Sequence, residues 1–271
     1  MASESRIIFY DIASTLPRRT FAPNPWKTRF ALNIKRVSYR TEWVQMPHIT
    51  NVRLKLGVPA NRTLPDGSEY HTLPVLQDQI HNAIIGDSFE IALYLDKTYP
   101  DNPTLFRDGT IGLTAAFNAQ VDTLFTTYVA LADRLILDPL TLNESMAIFA
   151  KRAGVASLDQ LKMTSEQRET KMAAFEAALG ELAKAYRHTG GTTDHLWRSG
   201  GTDEGQAQRG RDSVGPWLDG DRPVYADCIV GSWLKMFEAC MPGEDWERVR
   251  SWQEGLWGRV VDALEEWSAI V

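Results

Sequence analysis

The sequence predicts an α+β fold, in which strands and helices alternate over about the first hundred residues and only helices follow. Three observations support this prediction. Short β-rich runs recur before residue 100, longer runs with apolar residues at helical spacing follow it, and the composition changes near residues 100–110. We therefore predict two domains, one spanning residues 1–103 and a helical one spanning residues 104–271.

The first domain is predicted to run strand, helix, strand, irregular stretch, strand, strand, helix. The strands are predicted at 6–13, 38–44, 72–77 and 83–85, and the irregular stretch at 57–68. The first helix is expected to start at Asn24, a favoured cap residue followed by Pro25, and the second at Asp87–Ser88. Pro74 falls inside an apolar strand, so we expect Leu73–Pro74 to be a cis peptide in a tight turn. This order is that of a thioredoxin-like domain.

Apolar residues in the second domain recur every three or four positions, which predicts long amphipathic helices. These helices are predicted around 117–135, 172–186, 229–240 and 249–264, with a long loop at 189–216. No strand pattern returns after the boundary, so the second domain is predicted to be entirely helical.

Composition excludes several classes of function. The formal net charge of -6 argues against general binding to nucleic acid or anionic membranes. No apolar run approaches the roughly 20 residues that span a bilayer, and the first residues lack the pattern of a signal peptide, so we expect a cytoplasmic protein. Cys228 and Cys240 lie too far apart on one predicted helix for a disulfide, and with the scattered histidines they make no metal site. Because no cysteine precedes Cys228, a thiol reductase is excluded.

Three features of the first domain would meet at one edge of a thioredoxin-like fold. The helix start at Asn24 offers unpaired N–H groups, which favour a thiolate. A cis peptide at Pro74 would leave the backbone of Leu73 free to pair with an extended peptide. The helix start at Asp87 and Ser88 suits an amino-acid head group, whose ammonium the carboxylate would bind.

The runs that contain these features resemble glutathione transferases. The runs are FAPNPWKTRFALNIKRVSYRTEWV, TLPVLQD and GDSFEIALYLDKTYP, and WLDGDRPVYADCIVGSWLKMF resembles the start of the core helix of that family. The chain is most similar to the etherase-like, fungal-specific class A branch, over residues 6–100 and 215–240. The resemblance implies the glutathione transferase fold, glutathione as co-substrate, a detoxification role and a homodimer.

The chain departs from this family at two positions. Ala22 stands where the branch has the serine that holds the glutathione sulfur, and Val224 stands at a helix cap that is usually Ser or Thr, leaving Asp227 to serve the other half of the capping box. Lowering a thiol pKa by two units takes about 2.7 kcal/mol, more than the ~0.3–1 kcal/mol of a helix terminus. Asn24 is the nearest replacement donor, and Thr20 is a weaker candidate.

The resemblance also assigns the remaining site residues. Leu73, Pro74, Asp87 and Ser88 would bind glutathione, and the candidates for its glycine carboxylate are Lys27, Arg62 and His71. The pocket for a second substrate would include Phe21, Phe117, Val121, Phe125 and Tyr128, although the same helical stripe also fits a hydrophobic core. An aromatic pocket would suit a flat phenolic or polyphenolic ligand.

Two functions remain open from the sequence. The chain is a transferase, conjugating glutathione to aromatic electrophiles or cleaving aryl ethers with it, with activity weakened by Ala22. Alternatively it is a ligandin, a non-catalytic binding protein for aromatic polyphenols. A conjugation assay together with a measurement of glutathione binding separates the two.

Overall fold

A computed structural model describes residues 5–15, 20–64, 66–134, 136–187 and 216–271 of the chain. The strands are β1 (Ile7–Ile12), β2 (Arg40–Val44), β3 (Arg62–Thr63), β4 (Glu69–Tyr70), β5 (Val75–Asp78) and β6 (Ala83–Ile85). The helices are α1 (Pro23–Ile34), α2 (Ile49–Lys55), α3 (Ser88–Thr98), α4 (Ile111–Tyr128), α5 (Leu142–Ala153), α6 (Ser165–Arg187), α7 (Tyr225–Cys240) and α8 (Gly243–Leu264).

The N-terminal part is a four-stranded mixed sheet in the order β2-β1-β5-β6, with α1 and α3 packed together beside it. Strands β1 and β2 are parallel, and β5 pairs antiparallel with both β1 and β6. Strands β3 and β4 form a separate hairpin. This arrangement, followed by α4 to α8, confirms the predicted fold class, whereas the boundary at 103/104 stays a prediction.

A buried ion pair fixes α1 against the sheet. The guanidinium of Arg29 lies 2.7 Å from Asp11 near the end of β1, and both side chains are fully buried. Burial raises the pKa of the Asp11 carboxyl, and the neighbouring Arg29 opposes that rise. The pair therefore sets the position of the helix that starts at Pro23, on which the thiolate prediction depends.

Several predicted boundaries of the N-terminal part were wrong. Ala22 is the N-cap residue of the first helix, which starts at Pro23 and not, as predicted, with Asn24 as the cap and Pro25 at the first position. The strand predicted at 72–77 is Val75–Asp78, because Pro74 lacks the N–H that a ladder needs. Helix α2 was not predicted, since a seven-residue segment is too short to show a helical period.

The helical part contains a cluster of buried aromatic rings. Phe125 of α4 stacks on Trp233 of α7 at an interplanar angle of 9°, and Phe175 of α6 lies against Phe125 and Phe237. Helix α8 was predicted to run unbroken, but residues 252–255 leave the helical conformation, three of them with positive φ. Helix α5 lies in a stretch for which the sequence gave no prediction, and the predicted loop at 189–216 lies almost entirely outside the described residues.

Both cysteines are buried and unpaired on α7, as predicted. Burial raises the pKa of the Cys240 thiol to about 12 and that of Cys228 well above its usual value, so neither is a reactive thiolate. Helix α7 begins at the predicted half capping box, in which the carboxylate of Asp227 accepts the N–H groups of Val224 and Leu218 at 2.9 and 2.8 Å.

Helix α7 also joins the two parts of the chain. A Cβ on Gly231 would lie 2.1 Å from Leu264 and 3.6 Å from Phe30 of α1, so only glycine allows this close approach. Shortly after β1, the backbone of Ser14 pairs with Leu137, extending the contact between the two parts. None of the helices in the described ranges is long and apolar enough to cross a membrane.

Candidate functional site

A cleft of about 400 Å³ lies between the N-terminal part and the helical part. The residues that line it come from the start of α1, the hairpin region, α4, α5 and α7: Ala22, Pro23, Asn24, Pro25, Arg62, Thr72, Asp122, Thr123, Thr126, Thr127, Arg152 and Trp233. The cleft thus brings the first turn of α1 and the residue before the Leu73–Pro74 peptide to one surface.

The start of α1 presents an amide but no hydroxyl to the cleft. Ala22 is the N-cap residue in an extended conformation, and no side chain caps the helix. Asn24, predicted to be the cap, lies at the second helical position, half-buried, and its amide bonds to no other described residue. The amide is therefore free to donate to a ligand atom at the helix start. The weaker alternative, Thr20, is buried and does not line the cleft.

The Leu73–Pro74 peptide is cis, as predicted. The backbone N–H of Leu73 donates to no residue in the described ranges, so it is available to an extended ligand. Leu73 itself is buried, with 2% of its surface exposed, and the neighbouring Thr72 lines the cleft.

Arg53 connects this turn to the start of α3. Its guanidinium donates to the carbonyl oxygens of Thr72 at 2.6 Å, Gly86 at 2.9 Å and Pro59 at 2.5 Å. A Cβ on Gly86 would lie 2.8 Å from that guanidinium and closer still to Val58, so any other residue there would displace one of these side chains. Sequence reasoning missed Arg53, because a buried arginine on a short unpredicted helix has no distinguishing pattern.

The start of α3 has the predicted geometry. One carboxylate oxygen of Asp87 accepts the N–H groups of Phe89 at 2.8 Å and Glu90 at 3.2 Å, so Asp87 caps the helix. The second oxygen remains available to a cation, because Asp87 is exposed. Ser88 is buried, and its N–H bonds to no other described residue. The helix start therefore offers a carboxylate and a free N–H side by side.

Lys27 was predicted as a ligand for the glycine carboxylate, but its ammonium is already engaged. The side chain is fully buried, and Nζ lies 2.6 Å from Asp122 and 2.9 Å from Asn118, both on α4. Burial lowers the pKa of Lys27, and Asp122 opposes that change. The indole of Trp233 donates to the same Asp122 oxygen at 2.6 Å. Lys27 thus joins the two parts of the chain beneath the cleft.

The other two predicted cations differ in their access to the cleft. Arg62 lines it, is exposed, and pairs with no described carboxylate. His71 is 8% exposed, and its Nε2 lies 3.9 Å from Glu69, outside the cleft lining. Of the three candidates for the glycine carboxylate, Arg62 is therefore the accessible one.

The apolar residues predicted for the second-substrate pocket do not line the cleft. Val121 and Phe125 have no exposed surface and Phe21 has 7%, while Phe117 packs against the same core. Tyr128 lies against Phe175. The sequence left open whether these residues of α4 line a pocket or form part of the core, and their packing supports the core. Helix α4 instead gives the cleft Asp122 and three threonines.

Comparison with known proteins identifies the family to which this geometry belongs. A family profile described as "Glutathione S-transferase, N-terminal domain" matches residues 21–98, and one described as "Glutathione S-transferase, C-terminal domain" matches residues 113–267. The second match alone covers more than half of the chain.

The chain belongs to the glutathione S-transferase family.

Relatives in this transferase family cover nearly the whole chain. The glutathione S-transferase-like protein ustS of Aspergillus flavus is 28% identical over 285 aligned positions, which include 97% of this chain and 92% of the relative. A glutathione S-transferase of Ceriporiopsis subvermispora, solved with glutathione, is 29% identical with a TM-score of 0.81, covering 98% and 99% of the two chains. Glutathione transferase GSTFuA3 of Phanerochaete chrysosporium is 30% identical with a TM-score of 0.77, covering 99% and 100%.

Membership of the glutathione S-transferase family confirms the predicted co-substrate, glutathione. It also suggests a role for Arg53. The hydrogen bonds of Arg53 fix the turn at Leu73 relative to the start of α3, and these are the two segments predicted to bind glutathione. The polar residues that α4 contributes to the cleft are a further feature that the sequence did not predict.

Proposed function

We propose that the chain binds glutathione across the edge of the N-terminal sheet and conjugates it weakly to a small electrophile. The γ-glutamyl ammonium binds the free oxygen of Asp87, and its carboxylate binds the N–H of Ser88. The cysteinyl backbone pairs with Leu73, and the glycine carboxylate binds Arg62. The observation that supports this proposal is the cleft itself, in which Thr72 and the first turn of α1 face one space.

The sulfur of glutathione would then lie at the start of α1. Ala22 offers no hydroxyl there, so the stabilisation of a thiolate comes from the helix N-terminus and the free amide of Asn24. In the sequence analysis this amide had two competing roles, as a cap and as a donor to sulfur. Since Asn24 does not cap α1, its amide can serve the sulfur alone.

The proposed class of electrophile rests on one aromatic residue of the cleft lining. Trp233 is the aromatic side chain in the lining, and the remaining residues are polar or small. We propose a flat aromatic compound that lies beside Trp233, with detoxification as the role. Membership of the etherase-like fungal class A branch, ether cleavage and a homodimer rest on the resemblance to that branch, and a cytoplasmic location rests on the sequence pattern. We retain all four as proposals.

A ligandin is the second candidate, and the absence of a side-chain hydroxyl at the Ala22 cap favours it. The two functions are separated by measuring glutathione binding by calorimetry and conjugation of an activated aryl halide on the same preparation. Binding with slow turnover above the uncatalysed rate supports the transferase. Binding with no turnover supports the ligandin, and no binding contradicts both.

A further inference from the structure

The cleft is lined by two arginines that belong to different parts of the chain. Arg62 lies on β3, and Arg152 lies in the last turn of α5. Both are exposed, and neither pairs with a carboxylate in the described ranges. Unpaired guanidinium groups that face one cleft are suited to bind oxyanions.

Tyr70 relates the two arginines, through strand pairing with Arg62 and a ring contact with Arg152. Tyr70 of β4 lies directly opposite Arg62 in the hairpin, so the two side chains are on the same face. The guanidinium of Arg152 lies over the Tyr70 ring, 5.8 Å from its centroid. The ammonium of Lys151, 3.6 Å from Asp66, adds a second contact between α5 and the hairpin. The Tyr70 ring thus contacts Arg152 and shares one face of the hairpin with Arg62.

The charge of the lining is positive although the whole chain is negative. Asp122 is the acidic residue of the lining, and the ammonium of Lys27 at 2.6 Å already balances it. Arg62 and Arg152 therefore leave an excess of positive charge in the cleft of a protein whose formal net charge is -6. Such a local field attracts anions into the cleft.

The proposed function assigns the glycine carboxylate to Arg62 and gives Arg152 no ligand. Arg62 belongs to the part of the chain that binds glutathione, whereas Arg152 belongs to α5 of the helical part. We propose that Arg152 binds a carboxylate or similar oxyanion on the second substrate, so that the chain prefers anionic electrophiles. This inference rests on the proposed function.

The reaction for such a substrate is balanced without any further reactant. With 4-chloro-3-nitrobenzoate, the glutathione thiolate attacks the ring carbon that bears chlorine, and the new C–S bond replaces the C–Cl bond. Chloride leaves with the bonding pair, and the thiol proton passes to solvent. The carboxylate on the far side of the ring is unchanged and remains available to Arg152.

Binding of the finished conjugates tests the inference without depending on turnover. The probes are the glutathione conjugates of 4-chloro-3-nitrobenzoate and of 4-chloro-3-nitrobenzamide, which differ in the negative charge, and calorimetry gives their affinities. We expect the wild-type chain to bind the carboxylate conjugate about ten-fold more tightly, as one exposed charge-assisted contact allows. Arg152→Ala should remove that preference and leave the affinity for the amide conjugate unchanged.

Two control variants separate the contact from general electrostatics. Lys151→Ala removes one positive charge from the same helix outside the cleft lining, and should leave the preference intact. Arg62→Ala should weaken glutathione and both conjugates by the same factor, because it binds the part that they share. Equal binding of the two conjugates by the wild type, or equal effects of Arg152→Ala and Lys151→Ala, would overturn the inference while leaving the glutathione site in place. Failure of glutathione and of both conjugates to bind would instead overturn the proposed function, and the inference with it.

Discussion

Nζ of Lys27 lies 2.6 Å from Oδ1 of Asp122, and this ion pair joins α1 to α4 under the cleft. The two partners are unequally buried, since the side chain of Lys27 has no exposed surface and that of Asp122 has 27%. An unpaired charge is costly in proportion to its burial. Removing Asp122 and removing Lys27 should therefore change the free energy of unfolding by different amounts.

We predict that Asp122→Ala destabilises the chain more than Lys27→Met does. The first variant leaves a fully buried ammonium whose one remaining hydrogen-bond partner among the described residues is Asn118, at a cost of about 3–5 kcal/mol. The second leaves a carboxylate that reaches solvent and keeps the indole of Trp233, so about 1–2 kcal/mol is expected. Urea unfolding of both variants measures the difference. An equal or larger cost for Lys27→Met would contradict this account of the pair.

The charge of Asp87 can be separated from its capping role. Asp87→Asn keeps a side-chain oxygen for the N–H groups of Phe89 and Glu90, whereas Asp87→Ala removes it, at a cost of about 1 kcal/mol in stability. Both variants lose the partner of the γ-glutamyl ammonium, so calorimetry should show glutathione affinity weakened by roughly 30-fold, about 2 kcal/mol, in each. Unchanged affinity in Asp87→Asn would remove the assignment.

Arg53 is predicted to act as a positioning residue for glutathione. Lysine cannot reproduce three guanidinium contacts to Thr72, Gly86 and Pro59, so Arg53→Lys should loosen the turn and the start of α3 together. We expect KM for glutathione to rise about ten-fold, with a smaller change in kcat, as binding but not chemistry is lost. The control Lys55→Ala alters an exposed residue of the same short helix. A fall in kcat alone, with KM unchanged, would argue against a positioning role.

Asp78 at the end of β5 gives a prediction for pH. Its buried carboxylate accepts the hydroxyls of Tyr94 and Tyr99 at 2.8 and 2.9 Å and contacts His81. Burial alone would raise the pKa of Asp78, but these hydrogen bonds outweigh it and lower the pKa from 3.8 to about 2. The folded state thus holds the proton less tightly than the unfolded state. The stability that this difference provides is complete above about pH 4 and is lost as the pH falls towards 2.

The test of this pH dependence compares variants, because other carboxylates titrate in the same window. Asp78→Asn should be less stable than the wild type by on the order of 2 kcal/mol at neutral pH. The difference between the two free energies of unfolding should narrow between about pH 4 and pH 2. Asp101→Asn, which removes an exposed carboxylate, should have the same free energy of unfolding as the wild type at each pH. If the difference in free energy of unfolding between the wild type and Asp78→Asn stays constant between about pH 4 and pH 2, the lowered pKa of Asp78 does not contribute to stability.

Local patterns in the sequence predicted the parts of this structure that depend on a few neighbouring residues. The cap at Asp87 follows from Asp and Ser before an apolar run, and the cis peptide at Pro74 follows from a proline inside a strand. The core helix of the second domain begins at its half capping box because Asp227 lies three residues after Val224.

Features that depend on distant partners could not be predicted in this way. Helical spacing places Phe125 and Tyr128 on one face of α4, but it cannot tell whether that face meets a ligand or the rings of α6 and α7. Likewise, Lys27 resembles a surface cation in the sequence, and only the position of Asp122 on α4 makes it a buried partner. Because the apolar face of α4 packs into the core, the face that lines the cleft is the polar one, with Asp122 and three threonines.

The helix start at Ala22 and Asn24 is where the account is tested most directly. The measurement is the pKa of the thiol in bound glutathione, in the wild type and in Ala22→Ser. The ultraviolet absorbance of the thiolate reports the titration. A new hydroxyl at the N-cap can donate to the sulfur, so we predict a pKa lower by about one to two units in the variant, or about 1.4–2.7 kcal/mol. The conjugation rate should rise by a smaller factor, since a less basic thiolate is a poorer nucleophile. A bound-thiol pKa that is the same in both proteins would contradict the placement of the sulfur at the start of α1.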